Sequence, residues 1–208
     1  MTTSTHSHPT GHHTVHQTAK VSAQTGCLVY VMGPSGAGKD AVIYEAHKKL
    51  NENRYLYFSR RYVTRAVSDL QEISLSVEEF ANYKRNGLFA LNWEAHGLNY
   101  GVSKIIDSHL ANGKTVVVNG SRAYLREALI RYPSLLAVQI TAPRDLIRAR
   151  LIARGRESAE AIEARLSRSP AFDTPPSWLV NIDNSGTLEQ SVSAFTALLL
   201  NECVCNPG

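Results

Sequence analysis

Cysteine is scarce in this 208-residue chain, with Cys27, Cys203 and Cys205 the only three. An odd and sparse set argues against a disulfide framework and fits a reducing, cytoplasmic setting. Long apolar runs are missing as well. None approaches the roughly 20 residues needed to cross a bilayer, so no membrane span is expected. The opening residues lack the basic-then-apolar order of a secretory signal. Net charge is only +4, and the arginines gather in two clusters, Arg60–Arg65 and Arg144–Arg168, instead of a stripe interleaved with aromatics. That distribution predicts small anionic ligands and no nucleic acid.

What is present reads as one ordinary globular domain. The hydrophobic fraction is 43% and the charged fraction 19%, and the length allows a sizeable core. Residues 1–24 stand apart: His6, His8, His12, His13 and His16 sit among Thr, Ser and Gly without apolar periodicity, which predicts a disordered tail. A single domain is expected over 25–203, followed by a short tail over 204–208. Strand candidates are Cys27–Met32, Tyr55–Arg61, Thr115–Val118, Leu135–Thr141 and Trp178–Ile182. They alternate with helix candidates Ala41–Leu50, Val77–Asn86, Ser103–Ala111, Ala123–Arg131, Arg144–Ala153, Ala159–Ser167 and Leu188–Glu202, the pattern of a parallel α/β sheet. Ser76 ahead of Val77-Glu78-Glu79 marks a helix start, and Pro143 suits a first helical position. Residues 88–102 read as a hairpin turning at His96-Gly97, set on top of the sheet and outside its core.

The strongest chemical signal is Gly33-Pro34-Ser35-Gly36-Ala37-Gly38-Lys39-Asp40, between the first strand candidate and the first helix. Glycines in such a turn let backbone N–H groups converge on phosphate oxygens, the helix N-terminus adds partial positive charge, and Lys39 reaches the outer phosphates. A nucleoside triphosphate is the implied ligand. Asp40 stands where Ser or Thr is usual. Arg60, Arg61 and Arg65 lie at or just past the end of the second strand candidate, where parallel sheets bind ligands. Guanidiniums there suit a multiply anionic acceptor, or they pair with Asp69 and Glu72.

Taken with Arg61-Tyr62-Val63-Thr64-Arg65, Trp93, Gly97-Leu98-Asn99-Tyr100-Gly101-Val102-Ser103, Val118-Asn119-Gly120-Ser121-Arg122 and Arg154-Gly155-Arg156-Glu157, the loop resembles the guanylate kinase superfamily. Within it, the pattern is most similar to the ribose 1,5-bisphosphate phosphokinases, from about Cys27 to Leu200. The resemblance implies a P-loop, guanylate kinase-like α/β fold with a hairpin acceptor region over 55–102 and a helical lid over 145–170. It also implies ATP and Mg²⁺ as cofactors and a sugar bisphosphate, in phosphonate breakdown, as the small-molecule partner. In guanylate kinases a glutamate and an aspartate read the guanine edge; here Leu91 and Ser121 stand at those positions. Leu91 has no acceptor atom and Ser121 replaces a carboxylate poorly, so a nucleoside monophosphate kinase is disfavoured. A silent binding module is disfavoured by the intact Lys39 loop.

The resemblance assigns the residues as follows. Gly33, Pro34, Ser35, Gly36, Ala37, Gly38 and Lys39 hold the triphosphate, with Arg156 and Asn181 completing the nucleotide site. Lys39, Arg154 and Arg165 serve transfer. Arg61, Arg65, Tyr100, Ser121 and Arg122 receive the acceptor, and Asp40 is the metal-side carboxylate. After Arg65 the chain is shorter than is usual in the family, and a Glu-Asn-His-like triplet appears only as Glu72-Ile73-Ser74; Glu72 is a candidate polar contact. Because the acceptor phosphate is already anionic, no general base is expected.

Overall fold

Five short strands, whose successive side chains point to opposite faces, build the centre of the molecule. The computed structural model describes residues 26–66, 71–155, 158–167 and 179–202, with the backbone alone at 165 and 202. Strands β1 (Leu28–Met32), β2 (Leu56–Phe58), β7 (Thr115–Asn119), β8 (Leu136–Thr141) and β9 (Leu179–Asp183) form an all-parallel sheet in the order β2-β7-β1-β8-β9. β1 is central and buried throughout. Its Val29 and Val31 face helices α1 (Lys39–Leu50) and α7 (Leu188–Glu202) through Val42, Ile43, Ala46, Val192, Phe195 and Leu199. Leu28, Tyr30 and Met32 face the other way, toward Leu125, Ala128 and Ile106. Covering both faces is what an all-parallel sheet requires.

A second sheet, order β4-β3-β6-β5, comprises β3 (Arg61–Val63), β4 (Glu72–Ser74), β5 (Phe89–Ala95) and β6 (Leu98–Ser103). Two expectations change here. Residues 55–61 are not one strand: pairing with β7 ends where the Ser59 N–H meets the Val117 carbonyl, and Arg61 restarts in the other sheet. The hairpin, too, is more than an addition on top. Its Leu91, Trp93 and Val102 join the same apolar cluster as Tyr30 and Val118. The turn itself is as expected, with His96 at φ 54 and Gly97 at φ 71, the left-handed pair of a two-residue hairpin loop.

Helix α2 (Val77–Arg85) opens with a reciprocal cap: the Glu79 N–H donates to Ser76 Oγ at 3.1 Å, and the Ser76 N–H donates to the Glu79 carboxylate at 2.7 Å. The other helices are α3 (Ile105–Ala111), α4 (Leu125–Arg131), α5 (Arg144–Arg154) and α6 (Ala159–Ser167). The helix expected over 123–131 divides into a 3-10 turn, Arg122–Tyr124, and α4. α5 starts at Arg144 with Pro143 as its cap, and Gly155 ends it in the left-handed conformation. Arg154 and Arg165 therefore lie on separate helices. No helix among the described residues is long and apolar enough to cross a membrane. The His-rich segment, Trp178, Cys203 and Cys205 lie outside the described residues.

Candidate active site

Residues 33–38 turn between the end of β1 and the start of α1, and their backbone is held from behind. The Pro34 carbonyl accepts from the Ala37 N–H at 3.2 Å and from Lys39 Nζ at 3.0 Å. The Ala37 carbonyl accepts from Asn184 Nδ2 at 2.7 Å and from Arg150 Nη1 at 3.4 Å. Asn184, only 3% exposed, is itself fixed by Ser191, whose hydroxyl donates to its Oδ1 at 2.8 Å. Gly38 is required here: its φ is +90, and a Cβ would fall 2.3 Å from Asn184 Nδ2. Positive φ at Gly36 and Gly38, with Ala37 between them, is the backbone alternation that gathers N–H groups into an anion-binding concavity. Arg150 and Asn184 went unrecognised in the sequence because their partners are 113 and 147 residues away.

Lys39 is buried deeply enough that desolvation lowers its pKa from 10.5 to about 8; Asp40 opposes that shift, while Arg61, Arg122 and Arg154 reinforce it. Asp40 behaves in the opposite sense. Desolvation alone would raise its pKa, but Lys39, Arg61, an amide hydrogen bond from Asn119 and Arg154 together hold the carboxyl below its ordinary range. Asp40 Oδ1 accepts from Asn119 Nδ2 at 2.5 Å and lies 4.0 Å from Arg61 Nη2.

Arg61 and Arg65 share one buried carboxylate. Glu72, 6% exposed, accepts from Arg61 through both Nε (3.1 Å) and Nη2, and from Arg65 Nη2 at 2.7 Å. Its carbonyl accepts from Arg60 at 3.0 Å. Glu72 thus organises the guanidiniums and does not face outward as a contact of its own. The Arg61 guanidinium sits 4.9 Å from the Tyr100 ring centroid, Tyr100 stacks on Trp93 at 5.6 Å, and Trp93 meets Tyr124 at 5.6 Å. Such a column fixes Arg61 from its apolar side.

Ser121 and Arg122 follow β7. The Tyr30 hydroxyl, wholly inside the core, donates to the Ser121 carbonyl and accepts from its N–H, both at 2.9 Å. Its burial pushes the phenol upward in pKa, against the backbone hydrogen bond. Half-buried Arg122 has its pKa lowered by desolvation. Leu91 is 1% exposed among Tyr30, Trp93 and Val102, so nothing polar occupies that position.

Arg154 ends α5 with its field reaching Lys39 and Asp40. α6 is docked on α5 by Arg148 and Glu163, at 2.7 and 3.0 Å, and by Ile162 packing with Ile147, Leu151 and Ala37. Arg156, Glu157, Asp69 and the side chain of Arg165 lie outside the described residues. Asn181 is exposed on β9, while Asp183 accepts from the Ser185 N–H at 3.0 Å and its hydroxyl at 2.5 Å. The arrangement brings together Lys39, Asp40, Arg61, Arg65, Tyr100, Arg122 and Arg154, one lysine and four arginines around a phosphate-type loop.

No family profile matches the chain. Curated proteins match strongly. Ribose 1,5-bisphosphate phosphokinase PhnN of Burkholderia pseudomallei is 49% identical over 175 residues, covering 83% of this chain and 94% of that protein. The protein of the same name from Desulfomicrobium baculatum is 44% identical over 179 residues, covering 85% and 96%. Among solved structures, guanylate kinase from Anaplasma phagocytophilum superposes with a TM-score of 0.64 at 19% identity, covering 88% of this chain and 89% of that one. That likeness carries the fold.

Proposed function

Because the chain belongs to the ribose 1,5-bisphosphate phosphokinase family, we propose that it transfers the γ-phosphoryl group of ATP to the anomeric phosphate of ribose 1,5-bisphosphate, giving 5-phospho-α-D-ribose 1-diphosphate. A place in phosphonate breakdown in the cytoplasm, without nucleic acid or membrane, follows from the same reading. The observation that carries it is a phosphate loop together with guanidiniums preset by Glu72, while position 91 holds a buried leucine with no base-edge acceptor.

The loop amides and Lys39 grip the triphosphate. Arg61, Arg65 and Arg122 receive the anionic acceptor, with the Tyr100 hydroxyl and Ser121 beside them, and Arg154, Arg156 and Arg165 screen the moving phosphoryl group. Asn181 is the residue offered to the nucleotide's base. An attacking phosphate oxygen is already charged near neutral pH, so alignment and charge neutralisation suffice without a base.

The residues present fit Mg²⁺. Asp40 supplies one hard carboxylate, and Asn119 Oδ1 beside it is buried with no hydrogen-bond partner. Mg²⁺ needs only one or two carboxylates when phosphates complete its shell. When bound, the ion neutralises charge on the β- and γ-phosphates.

The direct test offers purified protein Mg-ATP with ribose 1,5-bisphosphate or GMP, measuring 5-phosphoribosyl 1-diphosphate and GDP separately. Turnover of the sugar bisphosphate alone is expected. Turnover of GMP alone sinks the proposal.

A further inference from the structure

Asn119 ends β7, directly beside Val31 of β1 and hence beside the start of the phosphate loop. Its side chain spans 79 residues of sequence to donate to Asp40 Oδ1 at 2.5 Å. The neighbouring carboxylate dictates which way the amide faces. Turning its oxygen toward Asp40 would set two acceptors against each other, so the nitrogen takes the hydrogen bond. The cost of that orientation is visible: Oδ1 is buried and lacks a partner. Buried acceptors of this kind are rare and expensive unless something completes them.

The surroundings narrow what that something is. Among the described residues the carboxylate that contacts Asn119 is Asp40, and the charges acting on Asp40 there, Lys39, Arg61 and Arg154, are cationic. Arg61 is hydrogen-bonded to Glu72 and Lys39 to the Pro34 carbonyl. A hydrated divalent cation at Asp40 carries water protons and prefers hard oxygen neighbours. Partners one step removed from a metal fix its ligands and commonly change affinity by about 10–100-fold when deleted.

We infer that Asn119 is the positioning residue of the metal site. Its Nδ2 fixes the rotamer of Asp40, and its Oδ1 accepts from a water of the cation's shell. The usual hydroxyl after the loop lysine is a carboxylate here, and the strand end beside it is neutral where P-loop proteins commonly use an aspartate. The chain therefore keeps one negative charge at this site but carries it on the helix side. Asn119 acts in this way only if Asp40 faces the nucleotide's metal, as proposed above.

The test measures Mn²⁺ binding to the full chain saturated with ADP, by electron paramagnetic resonance and titration calorimetry. Metal-free ADP affinity, the thermal midpoint and the KM for the acceptor are recorded alongside. Asn119→Ala and the near-isosteric Asn119→Leu should each weaken Mn²⁺ about 10-fold or more, with metal-free ADP affinity and acceptor KM within about twofold of the parent. Asn119→Asp, which restores an oxygen ligand, should bind Mn²⁺ at least as tightly as the parent. If Asp40→Asn weakens Mn²⁺ while both Asn119→Ala and Asn119→Leu leave it unchanged, the role of Asn119 is overturned and that of Asp40 stands. If Asp40→Asn leaves Mn²⁺ unchanged, the metal-side reading of Asp40 fails first.

Discussion

Raising the pH from 7 to 9.5 should titrate Lys39 in the empty enzyme, because burial places its pKa at about 8. About half of the free enzyme then carries a neutral Lys39 at pH 8 and about nine-tenths at pH 9. Bound β- and γ-phosphates favour the ammonium form, so nucleotide binding at pH 9 should take up about 0.9 proton, and affinity should fall about tenfold per pH unit above 8. Asp40, whose carboxyl is held below its ordinary range by Lys39 and Arg61, stays ionised over this range. The stability linkage has the opposite trend with pH. The folded pKa lies below the ordinary 10.5, so the unfolded chain binds more protons between about 8 and 10.5, and the fold gains stability as pH rises through that window. Below pH 8 the empty protein carries the full cost, on the order of 3 kcal/mol at about 1.4 kcal/mol per pH unit. Lys39→Met should therefore stabilise the empty fold at pH 7 while weakening nucleotide binding. Calorimetry at pH 9 in buffers of different ionisation enthalpy counts the protons, and thermal melts from pH 7 to 10 follow the stability. Proton uptake below about 0.2 per nucleotide, or an unchanged uptake in Lys39→Met, refutes the reasoning.

Glu72→Gln should destabilise by about 2–3 kcal/mol, at or below the lower end of the cost of breaking a buried ion pair because Arg65 is 42% exposed. It should raise the acceptor KM more than the ATP KM; urea unfolding and steady-state kinetics check both. Asn184→Ala removes the buried donor to the Ala37 carbonyl, so a loss of about 1–3 kcal/mol and a larger rise in ATP KM than in acceptor KM are expected, with the reverse split counting against a loop-holding role.

The donor half of the site was legible because its requirements are local. A glycine-rich turn after an apolar strand states its own geometry, and the structure places Gly36 and Gly38 at positive φ between β1 and α1. The core sheet was equally legible, since β1 and β7 carry runs of buried apolar residues and β8 and β9 are mostly apolar segments of six and five residues. β3 and β4 are three residues each, too short for periodicity to register, so Arg61 reads as the end of the preceding strand; the pairing of these arginines with Glu72 is legible as an alternative, but its burial is not. Asn119, Arg150 and Asn184 act through hydrogen bonds across 79 to 147 residues. Only position could have hinted at them: Asn119 is the polar residue that ends Thr115-Val116-Val117-Val118, and Asn184 follows β9 directly.

Tyr30 ties positions 91 and 121 to the central strand. Its hydroxyl holds both backbone groups of Ser121, and a Cβ at Gly120 would lie 2.1 Å from its ring. Position 121 therefore inherits its backbone path from a residue in the central strand, and position 91 is sealed in the same cluster. Installing carboxylates at 91 and 121 would bury a charge at the first and leave the second on a path set by Tyr30. Giving this site base-edge acceptors would therefore mean rebuilding the central strand and its packing together with positions 91 and 121.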